Sequence, residues 1–178
     1  VMAGAYDIVI AAGVEVMTRT PMGASIVPDM GFPFPSSMME RYDSFLPPQG
    51  VGAEMIADEY GISREDLDAF GAESQRRAAQ ATAEGRFENE IVPVPVVIDG
   101  ETVMMTTDEG IREGTTLETL GNLKPAFKED GKVTAGNSSQ ISDGASAVLV
   151  MSEEKAAELG LKPRARFHSF AVVGTDPV

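Results

Sequence analysis

Unbroken apolar runs, not alternating ones, mark both ends of this chain. Asp7 leads into Ile8-Val9-Ile10-Ala11-Ala12-Gly13, and Ala145-Ser146-Ala147-Val148-Leu149-Val150-Met151 lies near the other end. Continuous apolar stretches of this length predict strands buried on both faces. Before the first of them, Val1-Met2-Ala3-Gly4 reads as a final helical turn closed by a glycine. A domain rarely opens inside a helix that feeds a central strand, so further chain is expected upstream. After the second run, Ser152 offers an N-cap, and Glu153 and Glu154 suit the positive end of a helix. Gly160 stops that helix and Pro163 forbids its continuation. Ala165 to Gly174 alternates in part and predicts another strand, with His168 on it in a structural role.

Helical spacing takes over in the middle. Val51 to Tyr60 predicts a short helix closed by Gly61. Ser63 with Asp66 three residues on is close to a capping box. Leu67, Phe70, Ser74, Ala78 and Ala81 then fall on one helical face, ending at Gly85. Around these helices the pattern dissolves. Six of the 11 prolines (Pro21, Pro28, Pro33, Pro35, Pro47 and Pro48) lie between Thr18 and Gln49, a density that blocks long regular elements but keeps apolar content. Ile91 to Ile98 is β-rich, yet Pro93 and Pro95 restrict it to a sheet edge or an extended segment. Asp99 to Gly136 reads as loop, with glycines at 100, 110, 114, 121 and 131. The order is an α/β frame, a Pro/Gly-rich insertion, and the frame again, without internal repeat.

Composition narrows the chemistry. Over 178 residues the formal net charge is −14, with one His and no Cys. A duplex-binding protein carries a basic stripe, so nucleic acid is not an expected partner. Without Cys there is no disulfide or thiolate metal site, and the single His168 makes a zinc site unexpected as well. An anionic ligand needs local cations set against the global field; Arg19, Arg112, Lys124 and Lys128 are the candidates. The apolar run at 8–12 is too short for a bilayer and follows no basic leader, so no membrane association is expected and the protein is read as cytoplasmic. The methionines at 38, 39, 104 and 105 read as packing or pocket wall, not a redox site. Generic motifs fail. Gly50-Val51-Gly52 begins like a dinucleotide turn, but Met55 takes the third glycine position. Glu65-Asp66 and Asp108-Glu109 read as solvated charge.

Four ordered segments say more. They are Ala12-Gly13-Val14-Glu15-Val16-Met17-Thr18-Arg19, Ala53-Glu54-Met55-Ile56-Ala57, Leu123-Lys124-Pro125-Ala126-Phe127, and Val133-Thr134-Ala135-Gly136-Asn137-Ser138-Ser139 running on to Asp143-Gly144-Ala145. In this order, with Gly160-Leu161-Lys162-Pro163 and Val173-Gly174-Thr175-Asp176-Pro177 behind them, they resemble the thiolases, acetyl-CoA acetyltransferases and 3-ketoacyl-CoA thiolases. The resemblance runs from Val1 to Pro177. It implies an α/β thiolase fold, a five-layered α-β-α-β-α core with an inserted loop domain, only partly covered by this chain. Residues 1–17 and 141–162 would belong to the N-terminal core domain, 18–140 to the inserted CoA-binding loop domain, and 163–178 to the start of the C-terminal core domain.

The resemblance also implies a chemistry. A nucleophilic Cys cleaves a 3-ketoacyl-CoA, releases acetyl-CoA, and passes its acyl group to free coenzyme A in a degradative direction, as in fatty-acid β-oxidation. The nucleophile would lie upstream of Val1, and the family's Asn-Glu-Ala-Phe segment, its histidine and its second Cys beyond Val178, so no catalytic residue is expected in this chain. What carries over is the wall of the CoA site: Arg112 near the nucleotide phosphates, Thr119 and Phe127 along adenine and pantetheine, Ala135 and Ser139 at the pantetheine arm. Each also has a plain reading, Arg112 as a solvated loop charge, Phe127 as core, and Ser139 as a turn cap. Gln49 and Pro48 stand where many short-chain members carry Met and His, respectively, which makes Gln49 an acyl-pocket candidate and leans toward a longer or bulkier acyl chain. Gln140 stands where Gly is common and Val16 where Ser is common. Coenzyme A would be a substrate, with no resident cofactor and no metal, and the family's members are homodimers or homotetramers. A thiolase-like protein that binds acyl-CoA or lipid without catalysis is the alternative.

Overall fold

The computed structural model describes residues 1–31 and 33–174. Their contacts divide the chain into two compact units, Val1–Phe45 with the chain from Ile141 onward, and Leu46–Gln140. The expected insertion, 18–140, ends where the second unit ends, while residues 18–45 group with the first.

In the first unit the two apolar runs do form strands. β1 (Ile8–Glu15) pairs antiparallel with β4 (Gly144–Met151), in a register from Ile8 opposite Met151 to Glu15 opposite Gly144. One end of the ribbon is tied by a side chain: Thr18 N donates to Asp143 Oδ1 at 2.9 Å and Thr18 Oγ1 donates to Asp143 Oδ2 at 2.6 Å. These bonds, the hydroxyl's first, lower the Asp143 pKa below its ordinary value. The expected burial on both faces is not found. The sheet has two strands, β1 is exposed along its whole length, and Ile10 and Leu149 stay 67% and 54% accessible. A two-stranded ribbon cannot cover its own faces, however apolar they are.

A 3-10 turn (Pro28–Met30) and a short helix, α1 (Ser36–Arg41), interrupt the proline-rich stretch. After β4, Ser152 Oγ accepts from Lys155 N at 3.1 Å and starts α5 (Glu153–Glu158), which Gly160 closes at φ +65°. The strand expected over 165–174 does not form. Phe167 and Phe170 instead stack with ring centroids 5.4 Å apart. Residues three apart on a strand point to opposite faces, so that contact requires a bent chain. His168, expected on this strand, is exposed in irregular backbone.

The second unit holds α2 (Gln49–Glu59), α3 (Arg64–Ala83), the hairpin β2 (Val94–Ile98) and β3 (Glu101–Met105), and α4 (Leu117–Gly121). Gly61, at φ +63°, lets α2 end and α3 begin three residues later, behind its N-cap Ser63. The capping box is present: Asp66 N donates to Ser63 Oγ at 3.1 Å, and Ser63 N donates to Asp66 Oδ2 at 3.0 Å. The region after Asp99, expected to be loop, contains β3 and α4. Asp99 and Gly100 both have positive φ, 52° and 85°, so they make the two-residue turn that joins twisted antiparallel strands. Pro95 remains tolerable because a hairpin strand has an outer edge. No helix among the described residues is long and apolar enough to cross a membrane.

Candidate functional site

The packing face of α3 is polar. Phe70, expected to point inward, is 79% exposed, whereas Asp68 is 3% exposed and Gly71 is buried. The cause is a hydrogen-bonded chain that needs this face. Asp68 Oδ2 accepts from Arg64 Nε at 2.7 Å, and Asp68 Oδ1 accepts from Asn137 Nδ2 at 2.9 Å. Arg64 Nη2 also donates to the Leu120 carbonyl at 2.7 Å and to that of Leu123 at 3.0 Å, satisfying the C-terminal end of α4. One turn beyond Asp68, a Cβ on Gly71 would stand 2.7 Å from the Gly136 carbonyl. Only glycine allows α3 and this loop to approach so closely.

A second buried carboxyl secures the start of the same loop. Glu54 on α2 is 2% exposed, and Val133 N donates to its Oε1 at 2.7 Å, with Lys132 N 2.9 Å from each of its oxygens. Outside it, Asp58 pairs with Lys132 at 2.9 Å and Lys128 at 3.2 Å. Hydrogen bonds from Lys132 and then Lys128 hold the Asp58 pKa below its ordinary value. Residues 125–127 run back along this loop through the Pro125–Thr134 bridge and a 2.9 Å bond from Ala126 N to the Val133 carbonyl. Thr134 is fully buried and organises the turn: its Oγ1 accepts from Gly136 N at 3.1 Å, its carbonyl accepts from Ser138 Oγ at 2.7 Å, and its N–H donates to Asn137 Oδ1 at 2.8 Å. Among the described residues no buried side-chain N or O lacks a partner.

The expected site residues sit on the outside of this frame, all of them exposed. Ala135 and Ser139 lie on the 133–139 turn. Thr119 is in the first turn of α4, where its N–H donates to Thr116 Oγ1 at 3.2 Å and Thr116 N donates to its Oγ1 at 2.9 Å. A Cβ on Gly136 would run into Leu120 and Leu123, so α4 is seated directly against the turn. Arg112 is held by its backbone: its N–H donates to Gln75 Oε1 at 2.8 Å, and Thr115 Oγ1 donates to its carbonyl at 2.8 Å. Gln140, beside Ser139, donates through Nε2 to the Gly110 carbonyl at 2.8 Å and so draws that loop toward the turn. Phe127, 46% exposed, lays its ring over Gly50, where any Cβ would collide with it. Gln49 is the first residue of α2, adjacent to that contact. The fold therefore gathers Arg112, Thr119, Ala135 and Ser139 around the packed α3, α4 and turn, and sets Phe127 beside Gln49. Among the described residues, no hydrogen bond or ion pair joins the six side chains to one another.

In this unit most cations are already committed to carboxylates, Lys128 included. Among the described residues, the side chains of Arg112 and Lys124 have no hydrogen-bond or ion-pair partner and are available to an anion. A concavity of 290 Å³ near the end of α3, lined by Thr82, Phe87, Ile91, Pro93, Thr106 and Thr107 among others, includes none of the six expected residues. Sequence reading missed Glu54, Asp68 and Asn137 as supports. The first and last stood inside the quoted segments, but nothing in their spacing announced burial.

These features define a mixed α/β protein whose helical unit presents a polar-braced turn and two unpaired cations. The profile of the thiolase N-terminal domain matches residues 1–154, and the chain belongs to the thiolase family. It is 46% identical over 187 residues to a 3-ketoacyl-CoA thiolase of Bacillus subtilis, covering 99% of this chain and 46% of that protein. A probable acetyl-CoA acyltransferase of Staphylococcus aureus (strain COL) is 43% identical, covering 99% and 47%. The chain thus spans less than half the length of these curated relatives. Among solved structures, acetyl-CoA acetyltransferase from Syntrophomonas wolfei superposes with a TM-score of 0.69 at 39% identity, over 91% of this chain and 42% of that one. The dimeric peroxisomal thiolase of Saccharomyces cerevisiae gives 0.71 at 36%, over 89% and 40%. The fold is the thiolase fold, of which this chain holds part.

Proposed function

We propose that the protein carrying this chain is a thiolase-type acyltransferase that cleaves a 3-ketoacyl-CoA with CoA, giving acetyl-CoA and a shortened acyl-CoA. The observation that carries this is the identity with a 3-ketoacyl-CoA thiolase across nearly the whole chain. The bracing of the 133–139 turn supports it. In the proposed reaction a Cys outside these 178 residues attacks the 3-keto carbon, and the C2–C3 bond breaks. The departing enolate of acetyl-CoA takes a proton, and the thiol of free CoA then releases the acyl group from the Cys. This chain supplies the binding wall: Arg112 meets the nucleotide phosphates, Thr119 and Phe127 flank adenine and pantetheine, Ala135 and Ser139 line the pantetheine arm, and Gln49 borders the acyl pocket. Coenzyme A acts as substrate. The dimeric state of the yeast relative supports a homo-oligomer, a dimer or a tetramer.

The test is turnover by the complete polypeptide. With a 3-ketoacyl-CoA and CoA it should produce acetyl-CoA and the chain-shortened acyl-CoA in equal amounts, followed by mass spectrometry. Saturable CoA binding without either product would replace this reading by a binding protein.

A further inference from the structure

We infer that Asp68 is the positioning residue that sets the gap between α4 and the 132–139 turn, and so the grip of the proposed site on the CoA arm. The inference rests on the function proposed above. Asp68 reaches α4 through the Arg64 guanidinium and bonds the turn at its own residue Asn137. Its Oδ2 receives Arg64 Nε, and the same guanidinium holds the Leu120 and Leu123 carbonyls at the end of α4. Its Oδ1 receives Asn137 Nδ2, which also donates to the Lys132 carbonyl at 3.1 Å. The acceptor-only carboxylate fixes which way the Asn137 amide faces. With Nδ2 turned to Asp68, Oδ1 must face Thr134 N, and that bond closes the turn between Ala135 and its support. One buried carboxyl therefore orients the clamp on α4, which carries Thr119, and the clamp on the turn, which carries Ala135 and Ser139. A Cβ on Gly136 would collide with Leu120 and Leu123, so the two walls have little slack between them.

The polarity of the Asp68–Asn137 bond makes this testable by exchange. In the complete protein, Asp68→Asn turns a donor toward the Asn137 donor, or else toward Arg64. Asn137→Asp sets two carboxyls against each other. The double variant restores one donor and one acceptor across the pair, while, like Asn137→Asp alone, it loses the donor to the Lys132 carbonyl. Each single variant should raise KM for CoA and for the 3-ketoacyl-CoA about tenfold while kcat changes far less, and the double should recover much of that loss, as directly coupled residues do. Amide exchange should quicken together at 117–123 and 132–139 in the singles and slow again in the double. Folded single variants with unchanged KM, or a double no better than the singles, would overturn the inference. So would faster exchange confined to one of the two walls. A wild-type protein with no saturable CoA binding would instead sink the function on which the inference rests.

Discussion

Arg112 shows how a residue can be fixed and free at once. Its backbone is pinned to Gln75 and Thr115, while among the described residues its guanidinium has no partner. A net charge of −14 makes an uncommitted cation more valuable to a polyanion. A guanidinium can grip phosphate oxygens through two hydrogen bonds. In the complete protein, Arg112→Ala should weaken CoA binding by about 1–3 kcal/mol, the range for losing a charge-assisted hydrogen bond. Because an exposed pair is screened, the loss should shrink at high salt. It should nearly vanish for a pantetheine thioester without the nucleotide. Equal weakening of that truncated substrate would make Arg112 a support of the fold. Charge made Arg112 one of four cation candidates in the sequence, and the family resemblance set it apart from Arg19, Lys124 and Lys128. Asp68 and Gly71 could not be picked out, because an acid and a glycine on a helix ordinarily face water. Only a partner 69 residues away, Asn137, makes that face the inner one.

At the scale of elements, what was legible was what local chemistry decides. Ser63 with Asp66 and Ser152 with the helix behind it start α3 and α5 as their side chains predict, since a cap needs no tertiary partner. The Asp99-Gly100 turn was also local, and the two prolines before it masked a hairpin that the turn itself specifies. The supposed strand over 165–174 failed for the opposite reason: alternation proposes a strand, but only a neighbouring strand makes one. α3 also carries a pH signature that belongs to the helix alone. Glu73 Oε2 accepts from Arg76 Nε at 2.7 Å and its Oε1 from Arg77 Nε at 2.6 Å. These bonds, Arg76 first, pull the Glu73 pKa from 4.5 to about 2. A depressed folded-state pKa stabilises above the ordinary value and loses that contribution as pH falls through the folded one. Glu73→Gln should therefore lower Tm slightly at neutral pH, exposed pairs being weak, and the difference from wild type should fade between pH 4.5 and about 2. A constant offset across that range, followed by circular dichroism, would show that the pair contributes nothing through ionisation.

For the molecule as a whole, the two units make opposite demands on their surroundings. The unit over 46–140 braces itself: its buried carboxyls, its glycine contacts and its capped helices find their partners inside it. The β1–β4 ribbon does not. Ile10, Val14, Val148 and Leu149 are more than half exposed, and a two-stranded sheet leaves an unpaired edge on each strand. Bare apolar faces and open edges are the features that drive strand-to-strand association. Residues 1–178 expressed alone should therefore aggregate or melt broadly, with light scattering rising before secondary structure is lost. Thiolysis should also be absent, because the proposed acyl-enzyme needs a thiol and this chain has no Cys. Mixed with acetoacetyl-CoA and CoA, it should consume substrate no faster than buffer does. The two outcomes have separate causes, so they can fail separately. A sharp, reversible, monomeric transition would show that the ribbon is adequately covered by its own chain. Turnover above the buffer rate, with full-length enzyme excluded by intact mass, would require a nucleophile other than cysteine and would remove the covalent step from the proposed mechanism.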